Sequence, residues 1–186
     1  MKSREEAISL LHEWVTSESL RRHCLGVAVC MEAYAKKNGL FDEEVNKWWI
    51  CGLLHDFDYE KYPDIETHPI EGCKRLRELE YDEEIIEAIL GHNPATGIPR
   101  RSKMAKTLFA VDELSGLIVA LARVRPGGFE GMSSKSVKKV MKKRDFAAAI
   151  NREDIKQGTE ELEVEFDKHI ELLISALSPI SKELGL

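Results

Sequence analysis

Apolar residues along this chain return at three- and four-residue steps almost from end to end, and sustained two-residue alternation of β-branched residues is nearly absent. That pattern predicts an all-α protein. The spacing places helices over about 3–14, 18–38, 42–56, 69–79, 82–92, 103–124, 135–142, 144–149 and 159–177. Gly39 is placed to end the second helix and Asp42 to cap the third, while the residues from Asp58 to Asp64, with Pro63 among them, read as a loop. His68, Pro69 and Glu71 read as an N-cap, a first-turn proline and a third-position glutamate. Asn93-Pro94 stops the next helix just after His92, and Pro126-Gly127-Gly128 closes the long one that carries Asp112. No internal repeat or low-complexity segment breaks the pattern. After Pro126 the chain turns basic from Lys135 to Arg144, then acidic and amphipathic from Glu153 onward.

Some polar residues interrupt this apolar pattern where they cannot stay bare. The run from Trp48 to Leu54 is apolar for seven residues and then ends in His55-Asp56. His23 lies three or four residues from Leu20 and Val27, on the apolar stripe of its helix, and Asp112 sits among Leu108, Phe109, Val111 and Gly116. An unpartnered buried polar group costs roughly 2–7 kcal/mol, and a bare charge more. Two imidazoles and two carboxylates competing for partners in one core therefore form a mixed nitrogen and oxygen ligand set. It suits manganese, iron, cobalt, nickel, zinc or magnesium, with positions left open for water and substrate.

Composition narrows the setting. At 186 residues the chain is expected to form one domain, 1–186, which can bury a core without disulfides or a structural metal, so any metal is expected to be functional. A net charge of −6 argues against a general nucleic-acid-binding protein, and no apolar stretch is long enough to cross a membrane. The first residues lack the apolar segment of a secretion signal, so a cytoplasmic location is expected. Cys24, Cys30, Cys51 and Cys73 form no C-x-x-C pair and read as buried free thiols.

The order His23, then His55-Asp56, then Asp112, all on helices, resembles the HD superfamily of metal-dependent phosphohydrolases, named for the adjacent pair. The likeness covers about residues 20–125, leaving about 126–186 as a C-terminal helical extension. It implies an HD-type helical bundle with a metal site in its core, the first ion held by these four side chains. Superfamily members with two metals, such as cyclic-dinucleotide phosphodiesterases and mixed-valent di-iron oxygenases, carry histidines between the pair and the final aspartate. By that likeness His68 and His92 would bind a second ion beside a bridging Asp56. The chain departs from the cyclic-dinucleotide enzymes in lacking a Gly-Tyr-Pro segment after the pair and in having Asn93 where a second adjacent histidine is usual.

The function this implies is hydrolysis of a small phosphoester, a nucleotide or sugar phosphate, by attack of a metal-bound hydroxide. Such chemistry also needs cations on the phosphoryl oxygens and an acid for the leaving group. Arg100, Arg101, Lys103 and Lys106 begin the Asp112 helix and either face the same cavity or form a solvated helix start. Asp58 and Glu60 are the acids or bases offered beside Asp56. The run Lys135, Lys138, Lys139, Lys142, Lys143 and Arg144 is a solvated face or a grip on a phosphorylated substrate. His12 and His169 read as surface or packing residues. The C-terminal helix, with Leu162, Phe166, Ile170, Leu173 and Leu177, packs on its own core or on a second subunit. Two rival readings stand beside the hydrolase: a di-iron oxygenase of the HD type, and a non-catalytic nucleotide- or protein-binding module.

Overall fold

Residues 2–186 are described by a computed structural model, which is helical throughout, with no strand among those residues. The helices are α1 (Arg4–Trp14), α2 (Glu18–Lys37), α3 (Asp42–Leu54), α4 (Ile70–Glu78), α5 (Glu83–His92), α6 (Lys103–Val124), α7 (Ser134–Met141), α8 (Arg152–Glu161) and α9 (Phe166–Leu177). Short polar side chains start many of them. Ser3 and Glu6 form a reciprocal capping box on α1, Ser17 accepts from the Leu20 N–H, Asp82 from Glu84, and Ser102 from Ala105. Gly39, at φ +71°, takes the left-handed turn that ends α2.

Two close crossings position the interior. A Cβ at Gly52 would lie 2.8 Å from Ala28 Cα, so α2 and α3 approach almost backbone to backbone. That brings His23 and His55 together. Gly158 of α8 meets Ala110 of α6 in the same way, with a would-be Cβ 2.7 Å from Ala110 Cα. One apolar cluster runs from Ala7 through α2, α3, α5 and α6 to Ile170, Leu173, Leu177 and Leu184, so the C-terminal helices share the core. No described helix is long and apolar enough to cross a membrane.

The structure departs from the periodicity in four places. Residues 144–149 form turns, because the Arg152 guanidinium gathers the carbonyls of Phe146, Ala147 and Ile150 and folds the segment back. The span 159–177 is two helices; Glu163, at φ +56°, breaks it, Asn151 starts α8 earlier, and Glu165 caps α9. Asp42 is the first residue of α3, with Phe41 in the cap position and no capping side chain. Pro69 occupies the cap of α4, and His68 spends its imidazole elsewhere.

Candidate metal centre

His23 comes from the second turn of α2, His55 and Asp56 from the residues that follow α3, His68 from the turn before α4, His92 from the last residue of α5, and Asp112 from the middle of α6. These five segments converge. His23 Nε2 lies 3.0 Å from Asp112 Oδ1 and 3.2 Å from His55 Nε2, and His55 Nε2 lies 3.4 Å from Asp112 Oδ1. On the other side, Asp56 Oδ1 is 3.2 Å from both His68 Nε2 and His92 Nε2, which are themselves 3.3 Å apart. The second oxygen of Asp56 faces the first group, 3.4 Å from His55 Nε2 and 3.7 Å from His23 Nε2. Two sets of three donors thus stand side by side, His23, His55 and Asp112 against Asp56, His68 and His92, each set able to hold an ion. Donors about 3 Å apart are what bonds of ~2.1 Å at near-right angles require.

The surrounding hydrogen bonds aim the imidazoles. The Nδ1–H of His55 donates to Gly52 O at 2.8 Å, and that of His92 donates to Ile89 O. His68 Nδ1–H donates to Asp58 Oδ1 at 2.7 Å. Each turns Nε2 toward the cluster, the nitrogen that would bind an ion once any proton on it has left, with the outer partner fixing the ring's orientation. Asp58 is itself fixed, since Gly72 N–H donates to its Oδ2 at 2.7 Å. A Cβ at Gly72 would fall 2.7 Å from Asp58 Cγ, so only glycine admits the carboxylate there. Asn93 completes this shell: its Nδ2–H donates to the His68 carbonyl while its Oδ1 accepts from Ala95 N–H.

Charge balance follows the same geometry. Burial opposes a charge on His55 and His68, yet the adjoining carboxylates prevail. Asp56 and Asp112 hold His55 well above the usual histidine range, and Asp56 with Asp58 raise His68 to about 9. Burial would protonate Asp56, but His55, His68 and His92 keep its carboxyl far below the ordinary value. Within the cluster the carboxylates stay ionised and the imidazoles beside them hold protons in their field. His55 is fully enclosed, whereas the side chains of His23, Asp56 and Asp112 keep 27%, 17% and 18% of their surface, so the site opens on their side.

Other expected residues stand elsewhere. Glu60 is exposed and accepts from the Thr16 and Ser17 N–H groups at 2.9 Å, serving the start of α2 rather than the cluster. Asp58 is fully buried on the outer side of His68, where it orients that imidazole and is turned away from the open edge of the cluster. Lys103 lies nine residues before Asp112, half a turn out of phase, on the opposite side of α6. Arg100 is committed to a two-pronged pair with Glu161 at 2.7 Å and to Gly91 O. Of the basic run, Lys138 pairs with Asp167 on α9, and Lys142, Lys143 and Arg144 are exposed. All four cysteines are buried and free. His12 is exposed, while His169 is buried between the Tyr34 hydroxyl and Ala110 O.

Three features were not foreseen from the sequence: Gly72 and Asn93 behind His68, and Glu113 beside Asp112. The Glu113 carboxyl is pushed up to about 7 by burial, with the Asp112 charge adding to it. No curated protein and no solved structure matches the chain. The family model of the HD domain matches residues 20–117, from the helix of His23 to one turn past Asp112, more than half of the sequence. The paired histidine and aspartate at 55 and 56, met by His23 and Asp112 across three helices, are thus set in a matched family frame, and the chain belongs to the HD domain family.

Proposed function

We propose that this protein is a hydrolase of small phosphoesters, nucleotide or sugar phosphates, working with two divalent ions. The observation that carries this reading is the placement of Asp56, one oxygen of which faces the His23, His55 and Asp112 donors while the other completes a second set with His68 and His92. His23, His55 and Asp112 would hold one ion, His68 and His92 the other, with Asp56 between them. Ions in such a pair supply a water of lowered pKa and neutralise charge on phosphoryl oxygens.

The chain's own groups do the rest. Asp58, through His68, and the Gly52 and Ile89 carbonyls, through His55 and His92, keep the ligand set rigid before substrate arrives. Glu113, half-buried beside Asp112 and bonded to the Asn151 backbone, is the carboxyl we assign to returning a proton to the leaving oxygen, since burial pushes it up to about 7 in the metal-free protein. Phosphate release from a panel of phosphomonoesters and diesters by manganese- or iron-loaded protein tests the reading. Turnover that vanishes together with bound metal in Asp56→Ala supports it. Metal-loaded protein that is inert on the panel but consumes oxygen with an organic substrate would instead favour the di-iron oxygenase.

A further inference from the structure

Beside the metal centre, α2 and α6 diverge and leave a cavity of about 180 Å³. Ser19, Arg22, His23 and Gly26 line one side, Ser115, Gly116, Val119, Ala120 and Arg123 the other. Two of these tie the cavity to the site: the ring of His23, a proposed ligand, forms part of the wall, and Ser115 and Gly116 stand one turn beyond Asp112 on the same face of α6. The cavity adjoins the edge where His23 and Asp112 are exposed.

Its lining is cationic, and no acidic side chain contributes to it. Arg22 has no hydrogen-bond or ion-pair partner among the described residues, unlike Arg100 or Lys138. Arg123 makes one long contact, Nη2–H to Leu184 O at 3.4 Å. The C-terminal segment backs the arginines. Gly185 is in the left-handed region at φ +75°, and a Cβ there would fall 2.5 Å from Arg22 Nη1, so a glycine leaves the guanidinium its place. Gly26, Gly116 and Ala120 give the wall between the two arginines no polar side chain. An arginine left unpaired beside a phosphate-handling centre marks a site for a further anion, because its planar fork fits phosphate oxygens in two-pronged geometry.

We infer that this groove is a second phosphate subsite, and that the substrate is a phosphoester bearing another phosphate some distance from the one cleaved. The inference deepens the hydrolase reading and rests on it. Arg22 lines the same cavity as His23, its neighbour on α2, and Arg123 lies eleven residues past Asp112, about 16 Å along α6. A volume of about 180 Å³ takes a phosphate and a few neighbouring atoms rather than a whole nucleotide, so the remainder of the substrate lies across the open mouth.

The test compares adenosine 3′,5′-bisphosphate with adenosine 5′-monophosphate on the metal-loaded full chain, reading the ratio of their kcat/KM values. The wild type is expected to favour the bisphosphate by about ten- to hundredfold, the span of a charge-assisted hydrogen bond. Arg22→Ala and Arg123→Ala should each cut that ratio at least about tenfold through KM. Arg22→Lys should restore part of it, and Lys142→Ala, outside the groove, should leave it unchanged. A ratio near one in the wild type, or one indifferent to both arginines, overturns the inference. Should neither nucleotide be cleaved, the hydrolase reading is decided by the wider phosphoester panel, and the groove is tested apart from turnover. Calorimetry of inorganic pyrophosphate with Asp56→Ala protein then decides: binding lost on adding Arg22→Ala upholds the anion site, and no binding ends it.

Discussion

At the scale of single residues, the proposed ligands were legible because a polar side chain on an apolar stripe is carried into the core, where it must find a partner. His23, His55, Asp56 and Asp112 each break a hydrophobic pattern, and each reaches the cluster. Asp58 shows where such reasoning stops. Its closeness to Asp56 suggested an acid or base, but its role depends on Gly72, fourteen residues on, whose missing side chain lets the carboxylate lie behind His68. Asp58→Asn is therefore expected to weaken the second ion by about 10- to 100-fold while sparing the first, as losses of outer-shell partners do. A calorimetric metal titration with two unaltered binding steps would show that Asp58 does not tune His68. Arg22 and Arg123 were invisible for a related reason: a groove between helices a hundred residues apart leaves no local signature.

At the scale of elements, periodicity gave the helices through α7 well, since each presents a continuous apolar face. It failed after residue 143, where backbone capture by Arg152 and the left-handed turn at Glu163 decide the path, and neither disturbs the spacing of apolar residues. The crossing of α2 and α3 carries a sharper demand. Gly52→Ala would set a Cβ 2.8 Å from Ala28 Cα, forcing the helices apart at a cost of about 1–3 kcal/mol. For a chain of this size that lowers Tm by roughly 2–10 °C, and thermal unfolding followed by circular dichroism would read it. An unchanged Tm would mean the crossing relaxes freely. Helix α9 is fastened by His169, which accepts from the Tyr34 hydroxyl at Nδ1 and donates from Nε2 to Ala110 O. Burial pushes its pKa down to about 4. A depressed folded pKa means that the unfolded chain binds the proton first, so this contribution is whole above about pH 6.5 and is lost as pH falls toward 4. The loss amounts to roughly 3 kcal/mol. Denaturant titrations should show a flatter acid limb for His169→Gln than for the wild type; parallel limbs would refute the assignment.

At the scale of the whole molecule, two helix interiors and three helix ends or turns converge on a centre of four imidazoles and two carboxylates, and its protonation would link folding to a bound metal. His55 and His68 are held above the usual range, the latter at about 9, so the metal-free protein carries protons there at pH 7. For His68, in the absence of metal, this contribution to stability is complete below about pH 6.5 and is lost as pH rises through about 9. Ions bound by these imidazoles would displace those protons. Calorimetry at pH 7 in buffers of different ionisation enthalpy should detect about one or more protons released per chain on loading, and fewer above pH 9, where His68 has already given up its proton. Zero release at pH 7 would mean that the imidazoles are already neutral.

The central claim, that Asp56 joins two ions held by six side chains, is tested most directly by anomalous diffraction from crystals of metal-loaded protein. The account predicts two peaks about 3.5–4 Å apart, one against His23, His55 and Asp112, the other against His68 and His92, with Asp56 touching both. A single peak away from Asp56, or none within this cluster, would contradict it.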